Sequence, residues 1–321
     1  MIGPLELLVP AIAAGTADGS RTTVGLAAIQ LRLRWYRCPE ELADAAHRLA
    51  AQARSEGADT VVYPECVGLP LVFADDPDIL DQAPDLHQAI ALLLERRRQT
   101  VMTMVESYPV GPTRALLFAR SEATRRRYEE VFSDVARAHG LYVIGGTAPL
   151  GRRGSGTAAV FSTSCVFAPT GEVVGSQTKV NLSAFEALGG LDLVPGKRED
   201  YAALQTPLGP MGVAPGADAF DGDLVDRLSR GGARIVAAPA ACAQPWEGDR
   251  EQALAEEMRA WCDQASAYVV QAFSVGALGG MAFEGRSAIY GPPDGTPDGS
   301  GILARARTHT EEEAVVAVVD L

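Results

Sequence analysis

Apolar and polar residues alternate over residues 24–33, after an Arg-Thr-Thr lead, and this period of two predicts a first strand. Over residues 39–56 the period changes. Leu42, Ala45, Ala46, Leu49 and Ala53 fall at helical spacing, with Pro39 at the start and Gly57 past the end. Residues 60–63 read as a short buried strand closed by Pro64-Glu65. Strand, helix and strand in this order predict a right-handed βαβ unit. Glu65 then stands at the carboxyl end of a strand, the edge along which open α/β sheets bind ligands.

Residues 67–86, with several Asp and Pro, read as loop, and helical patterns follow near 86–105 and 121–139, separated by a turn-rich stretch at 108–113. A buried strand over 141–147 ends in glycines, and 152–157 is a polar Gly-rich turn. Strands 159–168 and 172–177 flank Pro169-Thr170-Gly171 as a hairpin, with Lys179 directly after it and Glu186 just beyond. Short strands at 204–206 and 211–214, a helix at 222–230, a strand at 234–238 and a long helix at 249–265 follow. Four further strands are predicted at 268–273, 285–290, 301–306 and 314–319. With no fixed-period repeat and no domain-sized linker, residues 1–321 read as one α/β domain. Two half-sheets carry helices outside, and a helical insertion occupies about 75–137.

The stretch from Gly209 to Phe220 organises the rest. It reads as a buried strand ending in a sharp turn, followed by the helical pattern that begins near Asp221. α/β enzymes commonly seat a nucleophile at such an elbow, where helix N–H groups stabilise an anion. Here the turn is Pro215-Gly216-Ala217, and none of the three carries a nucleophile.

A chain of 321 residues can bury a large core, and its formal net charge of -13 argues against nucleic-acid or anionic-membrane partners. The runs Arg96-Arg97-Arg98 and Arg125-Arg126-Arg127 read as solvated helix faces or intersubunit contacts. Five widely spaced cysteines with no C-x-x-C pair suggest reduced thiols of a cytoplasmic protein, and four scattered histidines predict no metal cluster. No cofactor is expected. Residues 5–14 resemble a signal core but lack a basic lead, and no run approaches the roughly 18 apolar residues of a membrane span. Gly190 to Lys197 has the wrong spacing for a phosphate loop, Asp75-Asp76-Pro77-Asp78 lacks the Gly and Glu of a calcium loop, and no Gly-x-Ser-x-Gly occurs.

Val62-Tyr63-Pro64-Glu65, residues 161–186 and 209–220, Gly232 to Pro239, Gly285 to Ile289 and the closing Ala317 to Leu321 together resemble the nitrilase superfamily of carbon–nitrogen hydrolases, in the family's order. The resemblance implies a four-layer αββα sandwich that pairs through its helices into a homodimer and acts on a small-molecule amide, nitrile or related carbonyl compound. By motif, Glu65 matches the family's base, Lys179 its lysine and Glu186 its supporting glutamate. The family's Gly-Val-x-x-Cys-x-Asp corresponds to residues 212–218, which puts Gly216 on the nucleophile. Ser162 and Pro215 also depart from the family pattern. A carboxylate base and an ammonium beside the developing charge make chemical sense for acyl transfer even without the thiol.

Three readings follow. Glu65 and Lys179 act without a covalent nucleophile; or the chain is a non-catalytic homologue binding a ligand or partner subunit, with the 75–137 segment as its interface; or Cys242, after the neighbouring strand, has become the nucleophile. Cys66 is expected to point away along an extended chain. Trp246 and Tyr108 are candidates for pocket lining or loop anchoring.

Overall fold

The computed structural model describes residues 23–152, 156–296 and 298–321. The signal-like stretch at 5–14 and the centre of the 152–157 turn lie outside the described residues.

The first third of the chain builds β1 (Thr23–Leu33), α1 (Pro39–Ser55), β2 (Thr60–Val62), α2 (Asp78–Gln82), α3 (Leu86–Arg96), α4 (Arg98–Ser107) and α5 (Pro112–His139). Next come β3 (Tyr142–Ile144), β4 (Ala148–Gly151), β5 (Val160–Phe167), β6 (Val173–Thr178), β7 (Leu204–Thr206) and β8 (Gly209–Val213). The remainder is α6 (Gly222–Arg230), β9 (Ile235–Ala241), α7 (Gly248–Ala265), β10 (Tyr268–Leu278), β11 (Met281–Phe283), β12 (Ala288–Tyr290), β13 (Ile302–Arg305) and β14 (Glu313–Asp320).

Strand parity explains the layers. In β1, Ala27, Ile29 and Leu31 pack outward against Leu42, Ala46 and Leu49 of α1 and Phe132 and Val135 of α5. Val24, Leu26 and Ala28, one residue out of phase, pack inward against Met211, Ile235, Ala237 and Val270 of the other half-sheet. In β9 the same alternation sends Ile235 and Ala237 inward, and Val236 and Ala238 out to Leu224 and Leu228 of α6 and Met258 of α7. Helices, sheet, sheet, helices: the fold is a four-layer αββα sandwich. Strands buried on both faces are apolar at consecutive positions, so β1 is buried almost throughout and not at alternate positions as its pattern suggested.

The central strands β8, β9, β10, β1, β2 and β3 run parallel in that order, so their carboxyl ends share one edge. The two half-sheets meet where Leu31–Leu33 of β1 pair with Ser274–Gly276 of β10. β1 and β2 pair in parallel across α1, the βαβ order expected.

Several details differ from the sequence reading. The loop-like region holds a 3-10 turn over Pro70–Phe73 and the short α2, because Leu69, Val72, Phe73 and Ile79 have an apolar cluster of their own to bury into. The 86–105 pattern splits at Arg97 into α3 and α4. Helix α5 begins nine residues early, with Pro112 in its first turn. The Arg runs are not simply solvated faces: Arg97 grips the buried Asp76 through both carboxylate oxygens at 2.7 and 2.8 Å, Arg96 and Arg120 approach the same carboxylate, and Arg127 pairs with Asp75. The Arg runs thus fasten the acidic turn before α2 to α3 and α5.

A candidate site at the carboxyl edge

Glu65 follows β2, and its backbone is tied across the seam. Ser274 Oγ donates to its carbonyl at 2.6 Å, and its N–H donates to the Ala240 carbonyl at 3.4 Å. This turn is crowded. A Cβ on Gly146, which has φ +66°, would lie 2.0 Å from the Pro64 carbonyl oxygen, so the glycines after β3 are what let Glu65 reach this position. One Glu65 carboxylate oxygen takes the Lys179 ammonium at 2.8 Å and the other takes the Ala241 N–H at 3.1 Å.

Lys179 leaves the β5–β6 hairpin with its N–H on the Ser162 carbonyl, and its ammonium also meets Glu186 at 2.7 Å. Glu186 is held in turn by the N–H and hydroxyl of Ser183, both at 3.0 Å, and by the Ser162 side chain. All three ionisable residues are at most 4% exposed. Burial pushes the Glu65 carboxyl up to about 7 against the pull of the Lys179 ammonium, with the Glu186 charge adding to the rise. Burial opposes the Lys179 charge, but two carboxylates outweigh it and its pKa is raised. Burial would raise Glu186 too, yet the ammonium and the serine donors hold it below the ordinary carboxylate range.

The elbow closes the group. After β8 the chain passes Ala214 and Pro215 into a 3-10 turn over Gly216–Phe220. The fully buried Asp218 accepts the N–H groups of Val180 and Asn181 at 2.8 and 2.7 Å, clamping the segment after Lys179 onto the turn. Gly216 has φ +54°, and a Cβ built there would lie 2.7 Å from each Glu65 carboxylate oxygen and 2.8 Å from the Lys179 ammonium. The elbow thus directs its side-chain position into the Glu65–Lys179 pair, and a glycine occupies it.

These groups open onto a cavity of about 620 Å³, whose wall includes Phe185, Phe220, Phe273, Met281 and Phe283. Cys242, just past β9, lines it as expected from its strand, but its thiol faces the Gln244 carbonyl at 3.6 Å and an Arg250 nitrogen at 3.3 Å. Cys66 corrects an expectation. Its backbone is not extended but has φ +65°, and it lines the cavity beside Glu65. Burial, with the neighbouring carboxylates, drives its thiol well above the ordinary range, away from thiolate reactivity. Trp246 anchors a loop, stacking edge-on upon Phe273 with its indole N–H on Glu251, while Tyr108 packs against Phe118 away from the cavity.

The sequence reading also missed Arg250, Gln271 and the aromatic wall. Gln271 had a signal: one polar residue inside the apolar run 268–273. Among the described residues no cluster of His, Cys, Asp and Glu suits a metal ion, and no helix is long and apolar enough to cross a membrane.

No curated protein matches the chain. Solved structures do, over nearly its whole length. A Glu-to-Gln mutant of the amidase from Nesterenkonia sp. AN1, showing Michael addition of acrylamide at the active site cysteine, is 19% identical with TM-score 0.62, covering 93% of each chain. Saccharomyces cerevisiae Nit3, a member of branch 10 of the nitrilase superfamily, is 19% identical with TM-score 0.62, covering 93% of this chain and 90% of that one. A carbon-nitrogen hydrolase from Helicobacter pylori G27 is 16% identical with TM-score 0.64, covering 94% and 90%. At these identities the structures speak for the fold. The carbon-nitrogen hydrolase family profile matches residues 25–321, so the sandwich and the carboxyl-edge site just described sit in a chain that belongs to the carbon–nitrogen hydrolase family.

Proposed function

We propose that the chain acts on a small amide or related carbonyl compound through Glu65 and Lys179, without a thiol at the elbow. The observation that carries this reading is the Gly216 geometry: the elbow delivers its side-chain position to within 2.7–2.8 Å of a carboxylate and an ammonium, yet supplies no nucleophile. Glu65, raised to about 7, is matched to general-base work near neutral pH. It takes a proton from water as the water oxygen bonds to the carbonyl carbon. The displaced electron pair goes to the carbonyl oxygen, beside the Lys179 ammonium. Collapse of the tetrahedral species breaks the C–N bond, and the proton passes from Glu65 to the leaving nitrogen, giving acid and amine.

Losing a covalent nucleophile from a cooperative site costs on the order of 10⁴ or more in rate. Turnover on this route is therefore slow, and activated amides are the substrates to try. Glu65→Gln and Lys179→Met should each abolish hydrolysis of an activated anilide such as p-nitroacetanilide. Full activity in both variants would show that this pocket is not the catalyst.

A second reading is favoured by one observation. Lys179 is already neutralised by two carboxylates, so the group is self-satisfied, as in a protein that binds without reacting. Acetamide would then raise the melting temperature without being consumed. A third reading, with Cys242 as nucleophile, is supported by its place on the cavity wall beside Arg250. Pairing of two chains through the outer helices is supported by a groove of about 740 Å³ along α1 and α5 that carries both Arg125, Arg126 and Glu129, Glu130.

A further inference from the structure

Amide cleavage needs a base, a cation beside the oxygen that gains charge, and a nucleophile. Glu65 and Lys179 supply the first two, and the elbow at Gly216 does not supply the third. The missing thiol slows only reactions that build a bond to the carbonyl carbon. Abstraction of a proton from the carbon beside a carbonyl builds no such bond. A base and a group that holds the enolate oxygen are enough for it.

The geometry suits that reaction. Among the described residues the Lys179 ammonium donates to Glu65 at 2.8 Å and to Glu186 at 2.7 Å, so one of its three N–H donors is left for a ligand oxygen. Glu65 Oε1 accepts the ammonium, while Oε2 accepts the Ala241 N–H at 3.1 Å and keeps a second lone pair. Both side chains line the cavity. A donor N–H and a basic lone pair thus stand side by side at one end of it. The acidic C–H and the carbonyl oxygen of an enolisable unit are two bonds apart, so one unit meets both groups at once. The aromatic and aliphatic wall of Phe185, Phe220, Phe273, Met281 and Phe283 lowers the local dielectric, which strengthens the ammonium's hold on an enolate oxygen.

We infer that this cavity also catalyses proton exchange at a carbon lying between two carbonyl groups, with Glu65 as the base and the Lys179 ammonium holding the enolate oxygen. The inference shares with the proposed function its reading of Glu65 and Lys179 as base and ammonium, and does not need amide cleavage. Glu65 Oε2 takes the proton as the C–H bond breaks. That electron pair forms the C=C bond, and the carbonyl π pair moves to the oxygen, which accepts an N–H from Lys179. The protonated carboxyl trades its proton with solvent and returns one to the same carbon. Nothing is oxidised or reduced, and no group leaves. The second carbonyl is required because Glu65, at about 7, is a weak base against an ordinary ketone; spreading the charge over two oxygens brings the C–H acidity towards that of the base.

The test uses acetoacetamide, whose C2 hydrogens lie between two carbonyls and whose amide can also be cleaved. Proton NMR in D2O follows loss of the C2 signal, and released ammonia reads cleavage in the same sample. With protein in excess, exchange should exceed the buffer rate by about 100-fold, the low end for a positioned general base. Glu65→Gln and Lys179→Met should each return it to the buffer rate, and Glu65→Asp, which keeps a carboxylate, should retain part. The wild-type profile gives a check that needs no variant: the protein-dependent rate should rise with pH and level off above about 7, as Glu65 loses its proton. A flat profile, or exchange unchanged in Glu65→Gln, overturns the inference. Exchange at the buffer rate with ammonia released also overturns it and leaves the amide reading standing. Exchange without ammonia supports it, and neither signal overturns both.

Discussion

The Gly216 geometry makes a quantitative prediction about Gly216→Ala. Two separate costs should appear. A residue with a Cβ at φ +54° is held in the left-handed region, which costs about 1 kcal/mol. The new methyl also meets Glu65 and Lys179 at 2.7–2.8 Å, inside contact distance, so the carboxylate must swing away and loosen a buried ion pair. Removing one partner of a buried pair outright costs about 3–5 kcal/mol, and a partial displacement should cost about 2. The sum is about 3 kcal/mol. Globular chains of this length have an unfolding entropy on the order of 0.6–0.7 kcal/mol/K, so the melting temperature should fall by roughly 5 °C. A double-mutant cycle separates the two costs. In a Glu65→Ala background the two carboxylate contacts are gone and the Lys179 ammonium, the end of a flexible side chain, has room to yield, so Gly216→Ala should cost about 1 kcal/mol, the backbone part. Equal losses with and without Glu65, within about 0.5 kcal/mol, would refute the claim that the elbow points into the carboxylate–ammonium pair.

Four other outcomes are expected. Because Glu65 is raised to about 7 in the fold, the folded chain binds more protons than the unfolded one between the ordinary carboxylate range and neutrality, so this group's contribution to stability falls as pH rises through that window; melting curves of Glu65→Gln should lack that decline, and parallel wild-type and variant profiles would contradict it. Glu186, held low, works in the opposite direction, its contribution being lost as pH falls through the acidic range, so Glu186→Gln should flatten the acid side of the same profile. Asp76→Ala would leave the guanidinium groups of Arg96, Arg97 and Arg120 facing one another around a buried gap and should cost about 3–5 kcal/mol by chemical denaturation, whereas a loss under about 1 would return the Arg runs to the status of solvated faces. Cys242→Ser should leave any Glu65-dependent turnover unchanged, since its thiol faces Gln244 and Arg250; a loss as deep as that of Glu65→Gln would establish the relocated nucleophile.

The elements that a sequence exposes are the long ones with a sustained apolar pattern. α1 was legible because its buried positions recur at helical spacing, and β1 because its apolar run is long and buried on both faces. β4 and β11 were not, being four and three residues long and containing Pro or Gly neighbours that read as turn. The break at Arg97 was hidden because the apolar spacing runs straight through it, and the partner of Arg97, Asp76, lies twenty-one residues away. In the candidate site, Glu65, Lys179, Glu186 and Gly216 were found through local motifs, and the structure brings all four together. Cys66 was misjudged because parity assumes an extended chain, and a residue at φ +65° breaks parity. Arg250 was invisible for a different reason: its place on the cavity wall beside Cys242 is a tertiary fact that no local pattern carries.

The Glu65 turn has a mechanical consequence. Its carboxylate and backbone reach Ala241, Ala240 and Ser274 on β9 and β10, while the residue itself belongs to the half-sheet of β2. It works as a clasp between the two halves of the sandwich. A ligand touching both Glu65 and Gln271 would span the same join, so occupancy would be felt as resistance to prising the halves apart. Slower proteolysis and slower amide exchange along β1 and β10 would then report a filled cavity even where no chemistry occurs.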